Sequence, residues 1–146
     1  VIGWGRWATG EASLGSVTKD IHYVVGKETP YSEIANLGGL VATSRMVGYT
    51  LPTATDGTIG QAPSGTLVAN FSLFQVNINI NVPIGGNVHN ISASPSLYYT
   101  SLFNANPPNT EVKGFFAGTN ASHAGLTYKI TGTPNGDVTG AAVFKR

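Results

Sequence analysis

The clearest hydrophobic pattern of the chain is a strict alternation between residues 66 and 82. A period of two predicts β-strands. If Ser72 and Leu73 form a connecting loop, both apolar rows lie on one face of one sheet, and the stretch predicts a β-hairpin. A slightly longer loop stays open as an alternative, because Ser-Leu lacks the positive-φ residues that tight hairpin turns prefer. The apolar residues of the two rows are Leu67, Ala69, Phe71, Phe74, Val76, Ile78, Ile80 and Val82.

Shorter patterns of the same kind occur along the rest of the chain, and the only helical turn that we predict lies between Lys27 and Gly39. Pro134-Asn135-Gly136 is a strong hairpin signal. Residues 94–109 form either a strand or a long excursion packed on the mouth of a barrel. The other predicted strands are Val1 to Ala8, Asp20 to Val25, Leu40 to Leu51, Val88 to Ala93, Glu111 to Gly118, Gly125 to Thr131 and Val138 to Phe144.

This spacing of short strands, without alternating helices, predicts an all-β fold: a single antiparallel up-and-down β-barrel of about eight strands. A barrel is preferred to a sandwich because closure leaves no edge strand unpaired, and we expect the first and last strands to meet. We also expect a filled interior, since many of the predicted inward residues are large. These residues are Phe71, Phe74, Ile78, Ile80, Leu126, Tyr128 and Ile130.

Composition supports one compact domain over residues 1–146. Charged residues make up 10% of the chain against about a quarter in typical proteins, while 41% hydrophobic content argues against disorder. The sequence opens at Val1 without a Met or an apolar leader, so we expect a domain excised from a larger protein or a processed protein. There is no cysteine, which excludes disulfides and thiolate zinc sites.

The charge distribution excludes two classes of partner. The formal net charge is +1 and the basic residues are mostly single, so we expect no nucleic acid partner and no polybasic membrane patch. The apolar runs are far shorter than the roughly 20 residues of a transmembrane helix, and we predict none.

The titratable residues do not form a recognisable catalytic motif in the sequence. His22, His89 and His123 lack metal-ligand spacing, and no Gly-x-Ser-x-Gly elbow or phosphate-binding glycine loop is present. We therefore predict no enzyme activity, no cofactor, no metal and no catalytic residue. A glycan hydrolase with two carboxylates across a cleft stays open as a third hypothesis.

Two aromatic features bear on barrel closure and on binding, and the first points to closure more than to a ligand. Gly5-Arg6-Trp7 matches the short Gly-x-Trp signature of calycin barrels, in which a cation from the last strand packs across the Trp. Tyr98, Tyr99 and Phe103 are the candidate residues for binding a partner or ligand, because they are able to line the mouth of the barrel.

The closing segments resemble a known family. VKGFFAGTNASHAGLTYKI, from Val112, and GDVTGAAVFK, from Gly136, are similar to the last strands of the eight-stranded barrels of transferrin-binding protein B and related bacterial surface lipoproteins. Together with Trp4 to Trp7 and His22 to Gly26, they also resemble barrel domains of FecR-type proteins. The resemblance implies a module of the periplasm or cell surface of a Gram-negative bacterium, without chemistry of its own.

The leading functional hypothesis is thus a non-enzymatic extracytoplasmic barrel for protein interaction or signalling, linked to iron acquisition, whose protein partner the sequence does not identify. The alternative is a calycin-like barrel that binds a small hydrophobic ligand. The resemblance supplies no functional residue, because host contacts in the transferrin-binding relatives come mostly from other domains and variable loops.

Overall fold

The computed structural model of the chain describes residues 2–11 and 17–146, with side chains described for 2–7 and 20–146. The chain is almost entirely β-structure, with one helix, α1 (Tyr31–Ala35), and a short 3₁₀ turn at Thr119–Ala121. No described helix has the length and apolar character needed to cross a membrane. The strands are β1 (Ile2–Glu11), β2 (Val17–Gly26), β3 (Val41–Tyr49), β4 (Thr53–Ala54), β5 (Ser64–Asn70), β6 (Gln75–Ile84), β7 (Asn87–Ala93), β8 (Leu102–Ala105), β9 (Thr110–Ala117), β10 (His123–Thr133) and β11 (Gly136–Lys145).

Eight of these strands form an antiparallel, nearly closed barrel in the order β7-β6-β5-β3-β11-β10-β9-β8, which confirms the predicted fold class. The short strand β4 pairs with β11 beside this path. The predicted pairing of the first and last strands of the chain is wrong, because β11 pairs with β3 and not with β1. The two ends of the strand order are β7 and β8. We call the gap between β7 and β8 the seam.

The hairpin β5–β6 has the register that the alternation predicts. Leu67 lies opposite Ile78 and Ala69 opposite Val76. The loop is the longer alternative, with Asn70 and Gln75 as the last pair before the turn. The Asn70 side chain explains this turn, because its Oδ1 accepts hydrogen bonds from the backbone N–H groups of Ser72 and Leu73, both at 3.0 Å.

The barrel interior is a packed apolar core, as predicted. Phe116 stacks in tilted geometry on Phe71 and Phe103, with ring centroids 5.6 and 5.5 Å apart. Phe74 is the exception among the predicted filling residues, because it is only partly buried and lies in the turn beyond the strand ends. The largest fully buried side chains are Phe71, Phe116, Phe144, Ile34, Leu67, Ile78, Ile80, Ile91 and Leu126.

The first two strands correct a prediction, because β1 and β2 form a separate hairpin outside the barrel. Trp4 and Val24 lie opposite each other in this hairpin and contact the barrel wall at Gly48 and Gly125. A side chain at Gly48 would overlap the Trp4 ring, so the glycine is what allows this contact. Residues 12–16, in the predicted connection, and Val1 lie outside the described residues.

The same packing changes the interpretation of Gly5-Arg6-Trp7. Trp7 lies on the hairpin face that points away from the barrel, is 60% exposed, and stacks on Tyr23 with ring centroids 5.6 Å apart. Arg6 pairs with Asp20 at 3.6 Å. The motif therefore does not form a barrel strand of calycin type here.

Candidate binding site at the aromatic rim

The structure separates the three predicted binding residues. Tyr98 and Tyr99 are 78% and 82% exposed in the connection between β7 and β8, whereas Phe103 is 3% exposed and packs inside the barrel against Phe116. The difference follows from position: Phe103 is on the inward parity of β8, and the two tyrosines precede the strand. A role in binding stays a prediction for all three residues.

Tyr98 and Tyr99 belong to a larger apolar cluster at one end of the barrel, which we call the aromatic rim. Three segments build it: α1, the β5–β6 turn, and the connection from β7 to β8. They surround a cavity of about 300 Å³. The residues of the aromatic rim are Tyr31, Leu73, Phe74, Leu97, Tyr98 and Tyr99.

Three of the four rings of the aromatic rim contact one another. Tyr31 meets Tyr99 edge-on with centroids 5.6 Å apart, and Phe74 lies 6.3 Å from Tyr31 on its other side. The backbone N–H of Leu97 donates to the Phe74 carbonyl at 2.7 Å and ties the two loops together. Rings that are positioned in advance lose little conformational entropy when a partner binds.

Two residues of the aromatic rim have a strained backbone. Phe74 has φ of 50° and Tyr99 has φ of 54°, in the left-handed region that bulky side chains rarely adopt. Such a conformation costs on the order of 1 to 2 kcal/mol per residue and persists where surrounding structure imposes it, most often at functional sites. Both strained aromatic residues among the described positions lie in the aromatic rim.

The aromatic rim carries little charge. Its nearest carboxylate on α1 is Glu33, whose Oε2 already accepts a hydrogen bond from the backbone N–H of Asn120 at 2.9 Å. Leu73 adds a 71% exposed apolar side chain at the tip of the turn. An exposed cluster of aromatic and aliphatic side chains without competing charge is typical of a protein contact surface.

The barrel interior is a poor alternative site. An eight-stranded barrel is either filled by its side chains or holds one small ligand, and here large side chains fill it. Tyr128 points into this core, where its hydroxyl is buried without a partner among the described residues, and burial raises its pKa. A ligand would find more room at the aromatic rim than inside the barrel.

The histidines do not form a site. His22 sits between the hairpin and the barrel wall, with its ring nitrogens 2.6 and 2.8 Å from the hydroxyls of Thr50 and Thr53. Burial, helped by nearby Arg6 and opposed by Asp20, lowers the pKa of His22 to about 4. Within the described part of the chain, no group of three His, Asp or Glu side chains is placed to hold a metal.

Three carboxylates do share one outer groove, which bears on the hydrolase hypothesis. Asp20, Asp56 and Asp137 line a cavity of about 470 Å³ beside the β1–β2 hairpin. Asp20 pairs with Arg6, and Asp137 lies 3.7 Å from Lys129. Hydrogen bonds from Thr58 and Asn135 lower the pKa of Asp56, which is the opposite of what a general acid needs. The groove does not favour glycoside hydrolysis.

Sequence reasoning missed part of the aromatic rim. Tyr31 and Leu73 were not candidates, and Phe74 was assigned to the interior. The available signal was an apolar Leu73 at the tip of a predicted loop, where a polar residue is usual.

Comparison with known proteins shows the fold. A crystal structure of the isotype 1 transferrin-binding protein B from serogroup B Neisseria meningitidis matches with a TM-score of 0.69 and 16% identity, over 99% of this chain and 32% of that chain. A crystal structure of a point mutant of the vaccine antigen transferrin-binding protein B from Haemophilus parasuis Hp5 matches with a TM-score of 0.61 and 11% identity, over 99% of this chain and 33% of that chain. The chain therefore has the β-barrel fold found in transferrin-binding protein B.

The sequence itself gives no closer assignment. No family model matches the chain, and no curated protein matches it. The chain spans about one third of the length of the transferrin-binding protein structures that it matches.

Proposed function

We propose that this chain is a non-enzymatic binding module that contacts a protein partner through the aromatic rim. The observation that carries the proposal is the rim itself: exposed, mutually packed rings, two of them on left-handed backbone that the fold must stabilise. Buried aromatic anchors supply much of the binding energy at protein interfaces. Tyr98 and Tyr99 are the residues that we expect to become buried on binding.

The proposal includes a compartment and a process. We place the module in the periplasm or on the surface of a Gram-negative bacterium, in signalling or protein interaction linked to iron acquisition. Support comes from the closing-strand resemblance to surface lipoproteins and FecR-type barrels and from the fold shared with transferrin-binding protein B. The low content of charged residues, with many uncharged Ser, Thr and Asn residues in their place, agrees with an extracytoplasmic β protein.

Photo-crosslinking tests the aromatic rim directly. A photoreactive phenylalanine analogue is placed at Leu73 of the full-length gene product in its own cells, with Thr131, exposed at the opposite end of the barrel, as the control position. We expect one discrete protein adduct from position 73 that disappears when Tyr98 and Tyr99 are both changed to Ala. Adducts of equal yield from both positions, or none from position 73, would contradict the proposal.

Three further measurements test the compartment and the iron link. Cell fractionation of the full-length gene product is expected to place it outside the cytoplasm. The yield of the position 73 adduct is expected to rise in iron-limited cells, and purified iron-loaded transferrin is the direct binding probe. A cytoplasmic location would contradict the proposed compartment. An adduct yield that does not change with iron supply, together with no binding to transferrin, would contradict the link to iron acquisition.

The alternative function is binding of a small hydrophobic ligand, and the cavity of the aromatic rim is the observation that favours a place for it. An apolar fluorescent probe distinguishes the two functions. Saturable one-to-one binding that Tyr99→Ala removes would favour the ligand carrier, whereas unsaturable binding would favour the protein contact.

A further inference from the structure

The seam leaves a sheet edge on each side of the barrel opening. β7 and β8 are the two ends of the strand order, and no backbone hydrogen bond among the described residues joins them. At the rim end each ladder continues one step past its strand: the Val76 N–H of β6 donates to the Pro95 carbonyl at 2.9 Å, and the Phe116 N–H of β9 donates to the Ser101 carbonyl at 3.0 Å. Neither bond crosses the seam. In the part of the chain that the structure describes, the edge of β7 that faces the seam has no partner strand.

β7 lacks the features by which natural proteins protect an edge strand. It pairs with β6 over Asn87–Ala93 without a register shift. Lys, Pro and β-bulges on an edge strand discourage pairing with another chain. The sequence of β7 contains no Lys and no Pro, and its ladder has no bulge. An edge that is long, regular and unprotected is a template for an added strand.

The side chains on both sides of the seam form a simple pattern. Ile91 and Phe103 point inward and are buried, so the interior side of the seam is apolar. Asn90 points outward, and its Nδ2 donates to Oδ1 of Asn79 and of Asn81, both at 3.0 Å. A strand in the seam would therefore need apolar residues alternating with uncharged polar ones.

A polar atom on the inward side of β7 also lacks a partner. His89 lies opposite Val82, and its Nε2 is buried without a hydrogen bond in the described part of the chain. A buried polar atom without a partner costs on the order of 1 to 3 kcal/mol. An incoming strand would place one of its own inward side chains beside this ring.

We infer that the seam accepts an extended strand from a partner protein, paired antiparallel to β7. The inference rests on the proposed function as a protein-binding module and adds the chemistry of the partner: an extended segment without proline, alternating apolar and neutral polar side chains. The partner's backbone bonds to the edge of β7 and completes the barrel wall. Its other edge faces β8.

Amide hydrogen exchange of the free protein is the first test. Amides of β6 are paired within the sheet, whereas every second amide of β7 faces the seam. We expect those β7 amides to exchange at least about a hundredfold faster than β6 amides, as unpaired groups do. Equally slow exchange in both strands would show that the edge is not free and would overturn the inference.

A peptide with the sequence of residues 75–82, QVNININV, is the second test, because its alternation fits the seam. We expect it to protect β7 and β8 amides together at concentrations up to about 1 mM. The matched control is the same peptide with the substitution Asn79→Pro, which removes a donor and is expected to bind at least tenfold more weakly. No protection, or equal binding of the two peptides, would overturn the inference.

Variants of the protein separate the seam from the aromatic rim. His89→Lys introduces the inward-pointing charge that natural edge strands use, and we expect at least tenfold weaker peptide binding. His123→Lys on β10 is the matched control and is expected to leave binding unchanged, with thermal melts confirming that both variants fold. Tyr98→Ala is also expected to leave peptide binding unchanged, because the seam and not the aromatic rim binds the peptide. Peptide binding that His89→Lys leaves unchanged, together with an intact position 73 adduct, would reject the seam and leave the proposed function standing.

Discussion

The barrel and the β1–β2 hairpin are both antiparallel sheets, but they are stabilised in different ways. Inside the barrel, side chains from all eight wall strands share one continuous core, and each large residue contacts several others. The hairpin has no core of its own and lies on the wall through a few defined contacts, chiefly Trp4 over Gly48 and His22 between Thr50 and Thr53. We therefore expect barrel damage to be global and hairpin damage to be local.

The contrast also appears on the outer surface of β11. Ala141 and Val143 are on the outward parity of this strand, yet they are buried because the hairpin covers them. Release of the hairpin would expose this apolar strip without opening the core. The hairpin is thus a cover for the barrel wall and not a part of it.

The largest effect that we predict is on the barrel core. Phe116→Ala removes a buried ring that packs between Phe71 and Phe103, and we expect unfolding free energy to fall by about 3 to 5 kcal/mol in urea denaturation. Phe115→Ala, next to it on the partly exposed outer face, is the control and is expected to cost clearly less. Equal losses would break the distinction between the core and the cover.

A smaller effect is expected where the hairpin meets the wall. Gly48→Ala forces the Trp4 ring to move, at a cost of about 1 to 3 kcal/mol. In a Trp7→Phe background, iodide quenching of Trp4 fluorescence is expected to increase while the urea transition of the core keeps its slope. Combined with Trp4→Ala, the same glycine change is expected to cost almost nothing. A full cost in that double variant would mean that Gly48 serves the barrel itself.

The hairpin contact is expected to weaken in acid through His22. The folded pKa of about 4 lies below the unfolded value of 6.5, so the folded state binds fewer protons between these two values. The stabilisation is present in full above pH 6.5 and is lost as the pH falls from 6.5 towards 4. Trp4 quenching followed across this window measures it, and His22→Asn is expected to flatten the profile. Weaker Trp4 quenching at low pH would mean that the hairpin contact becomes stronger in acid, and it would contradict the predicted role of His22.

The smallest effect is expected from an ion pair on the outer wall. Lys113 and Glu111 approach within 3.0 Å, but both side chains are well exposed. Lys113→Ala is expected to change the unfolding free energy by no more than about 0.5 kcal/mol, because water and salt screen such pairs. A loss above 1 kcal/mol in urea denaturation would show that outer-wall charges matter more than the hairpin comparison allows.

The sequence predicts the barrel well where period-two alternation coincides with one buried face. The register of β5 with β6 follows from Leu67 and Ile78 alone, because shifting one strand by a residue would turn its apolar row to solvent. The filled interior follows from the size of the same residues. Local pattern therefore suffices for strand pairing within a hairpin.

The position of the first hairpin and the composition of the aromatic rim were not predictable in this way. The alternation in β1 and β2 is the same as that of a barrel strand. Only the glycines at positions 48 and 125, which are distant in sequence, show where Ile2, Trp4 and Val24 pack. Likewise Tyr98, Tyr99 and Phe103 are close in sequence, but one enters the core and two do not. Contacts between distant segments decide both features, and a single sequence does not encode them as a local pattern.

The pairing of β3 with β11 has a consequence for how the molecule is made. Arg45 lies opposite Lys145, about 100 residues later in the chain, so the wall closes only after the final strand has been synthesised. Until then, several apolar strands have emerged from the ribosome without their final neighbours. Folding is expected to be slow and to depend on holding chaperones, since such intermediates aggregate through their exposed edges.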